Sequence, residues 1–276
     1  MSISVLILTL NEEMNIGRCL ASLAWSDDVV VLDSFSEDGT GEIARQAQVR
    51  FVQRAFQGYA DQRNYGLNDI QYRHPWVLMV DADEIVPPEL VRELKVAVAN
   101  AAQDVCLFQI RRKDFLMGRW IRRSSGYPTW FGRLMRVGRV WVEREINEEF
   151  HTDGWTARLN HHLHHYPFNK GFAAWIEKHN RYSTMEAHQR LASAKPNIPW
   201  SQLFAQNPQL RRTATKALYY SLPLRPLVAF VSLYILRGGI LEGRPGFVFS
   251  VLRSCYEFMI DVKVIELRLR DKGLPL

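Results

Sequence analysis

The sequence predicts an α/β fold in which a mostly parallel sheet is flanked by helices. Short apolar segments rich in Val, Ile and Leu alternate with helical patterns through the first hundred residues, as expected of strand–helix–strand units. Several of these segments stop abruptly at polar or acidic residues, which is typical of buried strands that end at the edge of a sheet. The length of 276 residues and the hydrophobic fraction of 47% suffice for one large α/β domain with an appendage.

Periodicity and turn signals define the elements of the first part of the chain. The expected strands are 2–10, 28–32, 50–53 and 76–80, and the expected helices are 16–23, a segment from Gly41, 59–68 and a segment from Glu89. The first apolar run is expected to be a strand and not a signal peptide, because it is short, lacks a basic flank and ends in acidic residues. With right-handed crossovers, this alternation gives a doubly wound sheet.

Polar groups follow three of the expected strands. They are Thr9, Asn11 and Glu12 after the first strand, Asp33 after the second, and Asp81 and Asp83 after the fourth. Ligands of open α/β sheets bind beyond the carboxyl ends of the strands, so these groups are candidates for one site. A carboxylate such as Asp33 suits a ribose or a base edge, and Arg63 on the third helix suits a pyrophosphate or a base.

The segment 76–90 carries the most specific signal. Asp81 and Asp83 are two residues apart, so on an extended segment their side chains are expected on the same side. Two neighbouring carboxylates favour a hard cation, Mg²⁺ or Mn²⁺, that also binds substrate phosphates, although an ordinary acidic loop is the simpler alternative. The chain has neither G-x-G-x-x-G nor G-x-x-x-x-G-K-[ST], so a metal ion and cationic side chains would have to neutralise the phosphates.

Three motifs together resemble a known family. They are ILTLNEE at 7–13, DSFSEDGT at 33–40 and DAD at 81–83. In this order, at strand ends, they are similar to the GT-A glycosyltransferases of family 2, most of all to bacterial WaaE-type β-glycosyltransferases of the lipopolysaccharide core and cell surface. The resemblance covers most of the chain. It implies a GT-A fold, a nucleotide-sugar donor that is usually UDP-linked, and inversion at the anomeric carbon.

The same resemblance implies roles for individual residues. Thr9, Asn11 and Glu12 would line the nucleoside pocket. Asp33 would contact the base or the ribose. Asp83, the last acid of the D-x-D motif, would be the principal metal ligand, with the first acid of the motif beside it.

A histidine-rich segment at 161–165 invites a zinc interpretation, but its spacing does not match H-E-x-x-H and no cysteine lies near it. The family often has a His-Tyr pair where this chain has His165 and Tyr166. By that resemblance His165 is expected to reach the metal ion or the diphosphate. The other histidines are expected on the surface or in the core.

The second half opens with an expected strand at 105–111 and a basic, aromatic stretch at 113–123. The next apolar segment, 130–136, resembles a family segment that borders the active site, so Arg133 or Arg136 would offset negative charge on the leaving diphosphate. A solvated basic face is the alternative. Cations among aromatic residues also fit RNA, but no RNA-binding motif accompanies them, so no nucleic-acid partner is expected.

Residues 140–150 hold the expected general base. Family members often carry Val-His-Glu here, whereas this chain has Ile-Asn-Glu at 146–148. An inverting transfer needs one carboxylate within hydrogen-bond reach of the acceptor hydroxyl, and Glu148 is chosen by its position. Neighbouring glutamates, Glu149 first among them, are alternatives, and so is a charged surface hairpin without a catalytic role.

The composition changes towards the C-terminus. The apolar run 227–236, with Arg225 and Arg237 on either side, has about half of the roughly 20 residues that a membrane-spanning helix needs. Apolar helices with basic flanks are typical of the membrane interface. An aromatic helix at 247–260 and a charged amphipathic helix at 263–272 are expected after it. Helices packed on the catalytic domain, or a dimer interface, are the alternatives.

The domain organisation follows from these segments. We expect a GT-A catalytic domain at 1–208, with a donor half at about 1–110 and an acceptor half at about 111–208, and a helical, membrane-interfacial extension at 209–276. The acceptor half is expected to end with a helix at 170–192 and a loop that contains three prolines.

Charge and cysteine content agree with this interpretation. The net charge of +6 favours anionic partners, and the three widely spaced cysteines indicate a reducing compartment. We expect a cytoplasmic enzyme, peripheral on the inner leaflet of the cytoplasmic membrane, that uses Mg²⁺ or Mn²⁺ to move a sugar from a nucleotide donor to a lipid-linked saccharide such as lipopolysaccharide inner core. The alternatives are a non-catalytic lipid- or saccharide-binding protein on a degenerate fold of this kind, and another metal-dependent nucleotide-sugar enzyme.

Overall fold

The computed structural model describes residues 2–143, 149–192, 199–222 and 224–276. The chain divides into two compact units, Met1–Arg122 with Tyr127–Lys170, and Arg123–Gly126 with Gly171–Leu276. The first unit contains the sheet, and the second is helical.

The first unit is built on one large sheet and a separate hairpin. The sheet contains β1 (Ser4–Thr9), β2 (Val29–Asp33), β3 (Arg50–Gln53), β4 (Trp76–Asp81), β5 (Glu84–Ile85), β6 (Val105–Leu116), β7 (Arg119–Trp120), β8 (Trp130–Arg136) and β11 (Trp155–His165), and the hairpin contains β9 (Val140–Glu143) and β10 (Glu149–Thr152). The strand order is β3-β2-β1-β4-β8-β6-β11-β5, with β7 paired to β6. Strands β1 to β4 pair in parallel, β8 runs antiparallel to both of its neighbours, and β11 is parallel to β6.

The central strands are apolar on both faces because helices cover both sides of a parallel sheet. Every residue of β2 is buried, and β4 is buried up to its last residue. The parallel register pairs Thr9 with Asp33 and Leu8 with Asp81, so these strands end at one edge of the sheet. The polar groups that the sequence places after the strands therefore meet at that edge.

Four helices cover this part of the sheet. They are α1 (Glu13–Ala21), α2 (Thr40–Gln46), α3 (Tyr59–Asn68) and α4 (Pro88–Asn100). Apolar side chains of α1 and α4 share one core cluster, whereas Leu67 of α3 belongs to another, as the two sides of a doubly wound sheet require. A Cβ on Gly66 of α3 would lie 2.6 Å from Cδ2 of Leu6, so only glycine lets this helix pack so closely on β1.

The predicted fold class is confirmed. Strands β1 to β4 and helix α3 lie within two residues of their predicted bounds. One strand is longer than predicted, since β6 continues through the basic stretch to Leu116.

The second unit consists of helices. They are α5 (Gly171–Ala192), α6 (Pro208–Ser221), α7 (Arg225–Phe230) and α8 (Arg244–Asp271), with 3₁₀ helices at Trp200–Phe204 and Gly239–Glu242 and a π-helical segment at Val231–Leu236. Among the residues that the structure describes, no helix combines the length and the apolar composition needed to cross a bilayer.

Helices α5 and α8 pack against each other along an apolar seam. Ala187 of α5 shares a core cluster with Tyr256 and Ile260 of α8. Beside this seam, Nζ of Lys263 donates to the hydroxyl oxygens of Ser183, at 2.8 Å, and of Thr184, at 2.7 Å. These contacts fix α5 within the helical unit.

Two features of this unit differ from the sequence analysis. The boundary between the units follows Lys170, whereas the sequence analysis places it at 208, because α5 finds its apolar partners on α8. Helix α8 is continuous over Arg244–Asp271, whereas two helices were expected. No glycine or proline interrupts the chain between Gly246 and the end of the helix, so the change from aromatic to charged composition does not break it.

Candidate functional site

Asp33, the last residue of β2, is fully buried and fixes the turn that follows it. The hydroxyl of Thr9 donates to Oδ1 at 2.8 Å, and Oδ2 accepts from the backbone N–H of Ser36 at 2.8 Å and from Nε2 of Gln53 at 3.3 Å. The Ser36 hydroxyl also donates to Asp33 and accepts from the backbone N–H of Asn11 at 2.8 Å. Asp33 thus ties the ends of β1 and β2 together.

The start of α1 lies beside this turn. Asn11 has a left-handed backbone (φ 54°), and its Oδ1 accepts from the backbone N–H of Glu37 at 2.9 Å. The Glu12 carboxylate accepts from Nδ2 of Asn15 at 2.8 Å and from Nζ of Lys170 at 2.9 Å. Burial raises the pKa of Glu12, and these two donors oppose that rise.

Asp81, the last residue of β4, contacts two arginines. Nη2 of Arg133, on β8, donates to Oδ2 of Asp81 at 2.6 Å and to Oε1 of the buried Glu84 at 2.8 Å. Nη2 of Arg63, on α3, lies 3.8 Å from Oδ1 of Asp81. Burial disfavours the charge of Asp81, but the two guanidinium groups outweigh it and hold the pKa of this carboxyl well below its usual range. Burial, together with the charge of Asp81, raises the pKa of Glu84.

Asp83 lies beside His165, the last residue of β11. Oδ2 of Asp83 is 3.3 Å from Nε2 of His165, and Nδ1 of the same ring is 2.6 Å from Oδ1 of Asp114 on β6. The backbone N–H of Tyr166 donates to the carbonyl oxygen of Asp83 at 2.9 Å. Burial and Arg112 disfavour protonation of the ring, but the two carboxylates outweigh them and raise the pKa of His165 to about 9.

This donor set fits a divalent cation. Asp114 engages Nδ1 of His165 and leaves Nε2 directed at Asp83, which is how a second carboxylate orients a histidine that binds a metal. No three His, Cys, Asp or Glu side chains among the described residues are grouped so that they could hold a metal ion by themselves. A substrate diphosphate and water would complete the coordination, as is usual for Mg²⁺. Because Asp81 is engaged by arginines, the geometry favours Asp83 as the direct ligand.

The structure separates the two arginines that the sequence analysis groups together. Arg133 lies in the acidic cluster, whereas Arg136 pairs in register with Trp76, at the opposite end of β4 from Asp81. Its guanidinium lies 4.6 Å from the Trp76 ring centroid and donates to two carbonyl oxygens at 3.3 Å. Five strand residues span about 17 Å, so Arg136 does not belong to the candidate site and the prediction is corrected for this residue.

Glu148, the predicted base, lies outside the described residues together with 144–147. The strand that leads to it is described. The backbone N–H of Val142 on β9 donates to Oδ1 of Asn64 at 2.7 Å, and Nδ2 of Asn64 donates back to the Val142 carbonyl at 2.9 Å. Asn64 follows Arg63 on α3, so this pair of hydrogen bonds ties β9 to the helix that contacts Asp81.

Four charged residues of the site escape the sequence analysis. They are Glu84, Arg112, Asp114 and Lys170. Glu84 adjoins the D-x-D motif, and its position in an otherwise apolar turn is a signal that could have identified it. Asp114 and Lys170 have no local signal, because each reaches the site through pairing or packing with a distant part of the chain.

The chain was compared with known proteins. The family model described as Glycosyl transferase family 2 matches residues 4–173. A Rhizobium meliloti protein named lipopolysaccharide core biosynthesis glycosyltransferase LpsC is 27% identical over 273 residues, which cover 96% of this chain and 92% of that protein. An uncharacterized glycosyltransferase of Rickettsia typhi is 26% identical over 99% of this chain and 89% of its own length.

Two solved structures are also similar. A crystal structure of S. aureus TarS, residues 1–349, is 16% identical with a TM-score of 0.45, over 91% of this chain and 89% of that one. Glucosyl-3-phosphoglycerate synthase from Mycobacterium tuberculosis is 25% identical with a TM-score of 0.35. That likeness spans 45% of this chain and 47% of the synthase, about half of its length.

Proposed function

Because the chain belongs to glycosyl transferase family 2, we propose that it moves a sugar from a UDP-linked nucleotide sugar to a lipid-linked saccharide, with inversion at the anomeric carbon. The observation that carries the proposal is the meeting, at one sheet edge, of the buried Asp33 turn, the Asp81–Arg133 pair and the Asp83–His165 pair. Such an edge can recognise the nucleoside and the diphosphate of a donor, together with the cation that the diphosphate binds.

The nucleoside is proposed to lie against the ends of β1 and β2. Asp33 holds the turn through its protein donors and presents the neighbouring backbone to the base or the ribose. Asn11 and Glu12 form the adjoining wall with Thr9, and Lys170 holds the Glu12 carboxylate in place. Arg63 is directed by Asp81 towards the diphosphate.

Asp83 and His165 are proposed to hold Mg²⁺ or Mn²⁺. The ion would neutralise the charge that develops on the leaving diphosphate. Asp114 would keep His165 in the orientation that this role needs, and the ion pair with Arg133 would keep Asp81 in place within the same motif. Arg133 is only 5% exposed and binds two carboxylates, so its proposed role is to position Asp81.

Glu148 is proposed as the general base. Its carboxylate would take the proton of the acceptor hydroxyl while that oxygen bonds to the anomeric carbon and the bond to the diphosphate breaks. Asn64, which binds β9, would position the segment that carries Glu148. Glu149 is the next candidate, because it begins β10.

A lipid-linked acceptor, with lipopolysaccharide inner core as the example, is supported by the name of the Rhizobium relative and by the surface of the second unit. Five apolar side chains between residues 224 and 241 are exposed there and are called here the apolar tip: Leu224, Leu227, Leu236, Ile240 and Leu241. The only acid between residues 224 and 246, Glu242, accepts hydrogen bonds from the Ser124 hydroxyl and backbone and is not presented to a ligand. We propose that this tip, with the exposed Arg237 and Arg244, lies on the anionic inner leaflet of the cytoplasmic membrane.

Calorimetric titration with UDP, GDP and ADP, with and without Mn²⁺, tests the donor site. Wild type should bind UDP in a metal-dependent way, and Asp83→Asn should lose at least tenfold in affinity. Asp104→Asn removes an exposed carboxylate just before β6. It is the matched control and should bind as wild type does. If the folded wild-type protein binds no nucleotide, the transferase proposal fails, and a non-catalytic saccharide- or lipid-binding protein takes its place.

A further inference from the structure

A second charged surface of the first unit takes no part in the site above. It consists of Arg111, Lys113, Arg122, Arg158, Trp120 and Trp130, and is called here the cationic–aromatic surface. Arg111 and Lys113 precede Asp114 on β6 by three positions and by one, so side-chain alternation places them on the face of the strand opposite to Asp114. The strand therefore presents Asp114, which contacts His165, on one face and the cations Arg111 and Lys113 on the other.

The two tryptophan rings hold the cations in place. Guanidinium groups of Arg111 and Arg158 each lie 4.8 Å from the Trp130 centroid. Lys113 Nζ lies 5.0 Å, and the Arg122 guanidinium 5.6 Å, from the Trp120 ring. Each ring thus contacts two cations, and its quadrupole offsets only a small part of their charge.

These cations have no acidic partner within the described ranges 2–143, 149–192, 199–222 and 224–276. Among the residues that the structure describes, no carboxylate forms an ion pair with Arg111, Lys113, Arg122 or Arg158. Glu93 does not pair with these cations, because its carboxylate accepts hydrogen bonds from the backbone N–H groups of Asn160 and His161. Four positive charges held close together, without an acidic partner among the described residues, create a positive electrostatic potential that attracts an anionic ligand.

Two polar atoms of this surface are buried without a hydrogen-bond acceptor among the described residues. They are Nε1 of Trp120 and Nε of Arg111. Native proteins rarely leave buried donors unpaired, so each such atom requires an explanation. The neighbouring His162 adds no charge at neutral pH, because burial, Arg111 and Lys113 lower its pKa to about 4. Its Nε2 lies 2.8 Å from the Tyr127 hydroxyl.

The chemistry favours a compact anion over a nucleic acid. Single-stranded nucleic acids stack their bases on free aromatic faces, whereas Trp120 and Trp130 each already contact two cations. Guanidinium groups bind phosphate in a bidentate manner, and indole N–H groups donate to oxygen. A phosphate ester on a small polar carrier meets these requirements.

We propose that the cationic–aromatic surface binds phosphomonoester groups of a phosphorylated saccharide, and that this saccharide is the acceptor chain of the transfer. The second clause rests on the proposed function, whereas the binding itself does not. Strands β6 and β4 run in the same direction, and the register through β8 places Leu107 level with Val77. Past the register shift between Phe108 and Gln109, Ile110 is level with Asp81 and Arg111 lies one residue further along β6, so one oligosaccharide that passes around the end of β6 can reach both faces.

The experiment is calorimetric titration of the full chain with glucose 1,6-bisphosphate in the presence of EDTA, which removes binding through a metal ion. The test variant is Arg111→Gln/Lys113→Gln, with folding checked by circular dichroism. Arg92→Gln/Lys95→Gln is the matched control, because it removes the same two charges from α4, whose Leu90 and Leu94 pack on the other side of the sheet. Arg122→Gln, an exposed position, is the second variant in case the double variant does not fold.

Wild type and the control should bind the bisphosphate equally within twofold, with affinity that falls as NaCl is raised, and neither should bind glucose. The test variant should lose at least tenfold and Arg122→Gln several-fold, while UDP binding with Mn²⁺ is unchanged in both. Unaltered bisphosphate binding in the test variant, or none in wild type, overturns the proposal. Binding of a dodecathymidylate or of phosphatidate vesicles without any bisphosphate binding overturns it in favour of a nucleic-acid or a lipid surface. If wild type binds the bisphosphate but does not bind UDP with Mn²⁺, the donor proposal is refuted and the proposal for the cationic–aromatic surface is not.

Discussion

Replacement of Arg133 by methionine should destabilise the first unit strongly. The Arg133 side chain is 5% exposed, and its Nη2 donates to Asp81 at 2.6 Å and to Glu84 at 2.8 Å. Asp81 is 28% exposed and keeps Arg63 at 3.8 Å, whereas Glu84 is fully buried and would lose its closest cation. Removal of one partner of a buried ion pair costs about 3–5 kcal/mol, and most of that cost is expected to come from Glu84.

The matched control is Arg136→Met on the same strand. It removes a cation over the Trp76 ring and two hydrogen bonds to carbonyl oxygens, worth about 1–2 kcal/mol together. The double variant Arg133→Met/Glu84→Gln removes the buried charge along with its partner and should recover about 1 kcal/mol or more relative to Arg133→Met.

The assay is urea unfolding read by hydrogen exchange in peptides from β4 and β8, because a chain of two units is not expected to unfold in one step. If Arg133→Met costs no more than Arg136→Met, the buried-charge argument is wrong. If the double variant is less stable than Arg133→Met, Glu84 is not the source of the cost.

Three further predictions concern stability, catalysis and membrane binding. Asp28→Asn should destabilise the first unit at pH 7 and less so near pH 3, as measured by urea unfolding at both pH values. Hydrogen bonds from three protein donors lower the pKa of this carboxyl against the opposing effect of burial. The stabilising effect of the carboxylate is therefore present above its unfolded pKa of about 3.9 and is lost as the pH falls through the folded pKa. Glu148→Gln should abolish sugar transfer and leave metal-dependent UDP binding within twofold, and substantial activity in that variant together with its loss in Glu149→Gln would move the base to Glu149. Leu236→Asp/Leu241→Asp should reduce co-sedimentation with anionic vesicles at least fivefold, since these side chains are 77% and 71% exposed; unchanged sedimentation would remove the apolar tip from the proposal.

The strand-end groups were predictable because each depends on local pattern alone. Thr9, Asp33 and Asp81 terminate apolar runs, and parallel pairing brings such ends to one edge whatever the exact register. The distinction between Arg133 and Arg136 was partly accessible as well. Residues three apart on a strand lie on opposite faces, so both arginines could not line the same site. Which of the two enters the site depends on the antiparallel pairing of β8 with β4, and that is a non-local property.

The contact between Asp114 and His165 could not be predicted from local sequence patterns. The two residues are 51 positions apart, and they meet because β11 pairs with β6 in parallel, in a register that shifts between Arg158 and His162. Without that irregularity, different residues of β11 would pair with β6. A shift of one residue would move each side chain of β11 to the other face of the sheet. The sequence 161–165 contains four histidines of similar appearance, so the register alone decides which one joins the acidic cluster. The same register places His162 beside Arg111, on the cationic–aromatic surface. One shift in strand pairing therefore places His165 in the acidic cluster and His162 on the cationic–aromatic surface. In our proposals, the first group binds a metal ion with the donor diphosphate, and the second binds a phosphorylated saccharide.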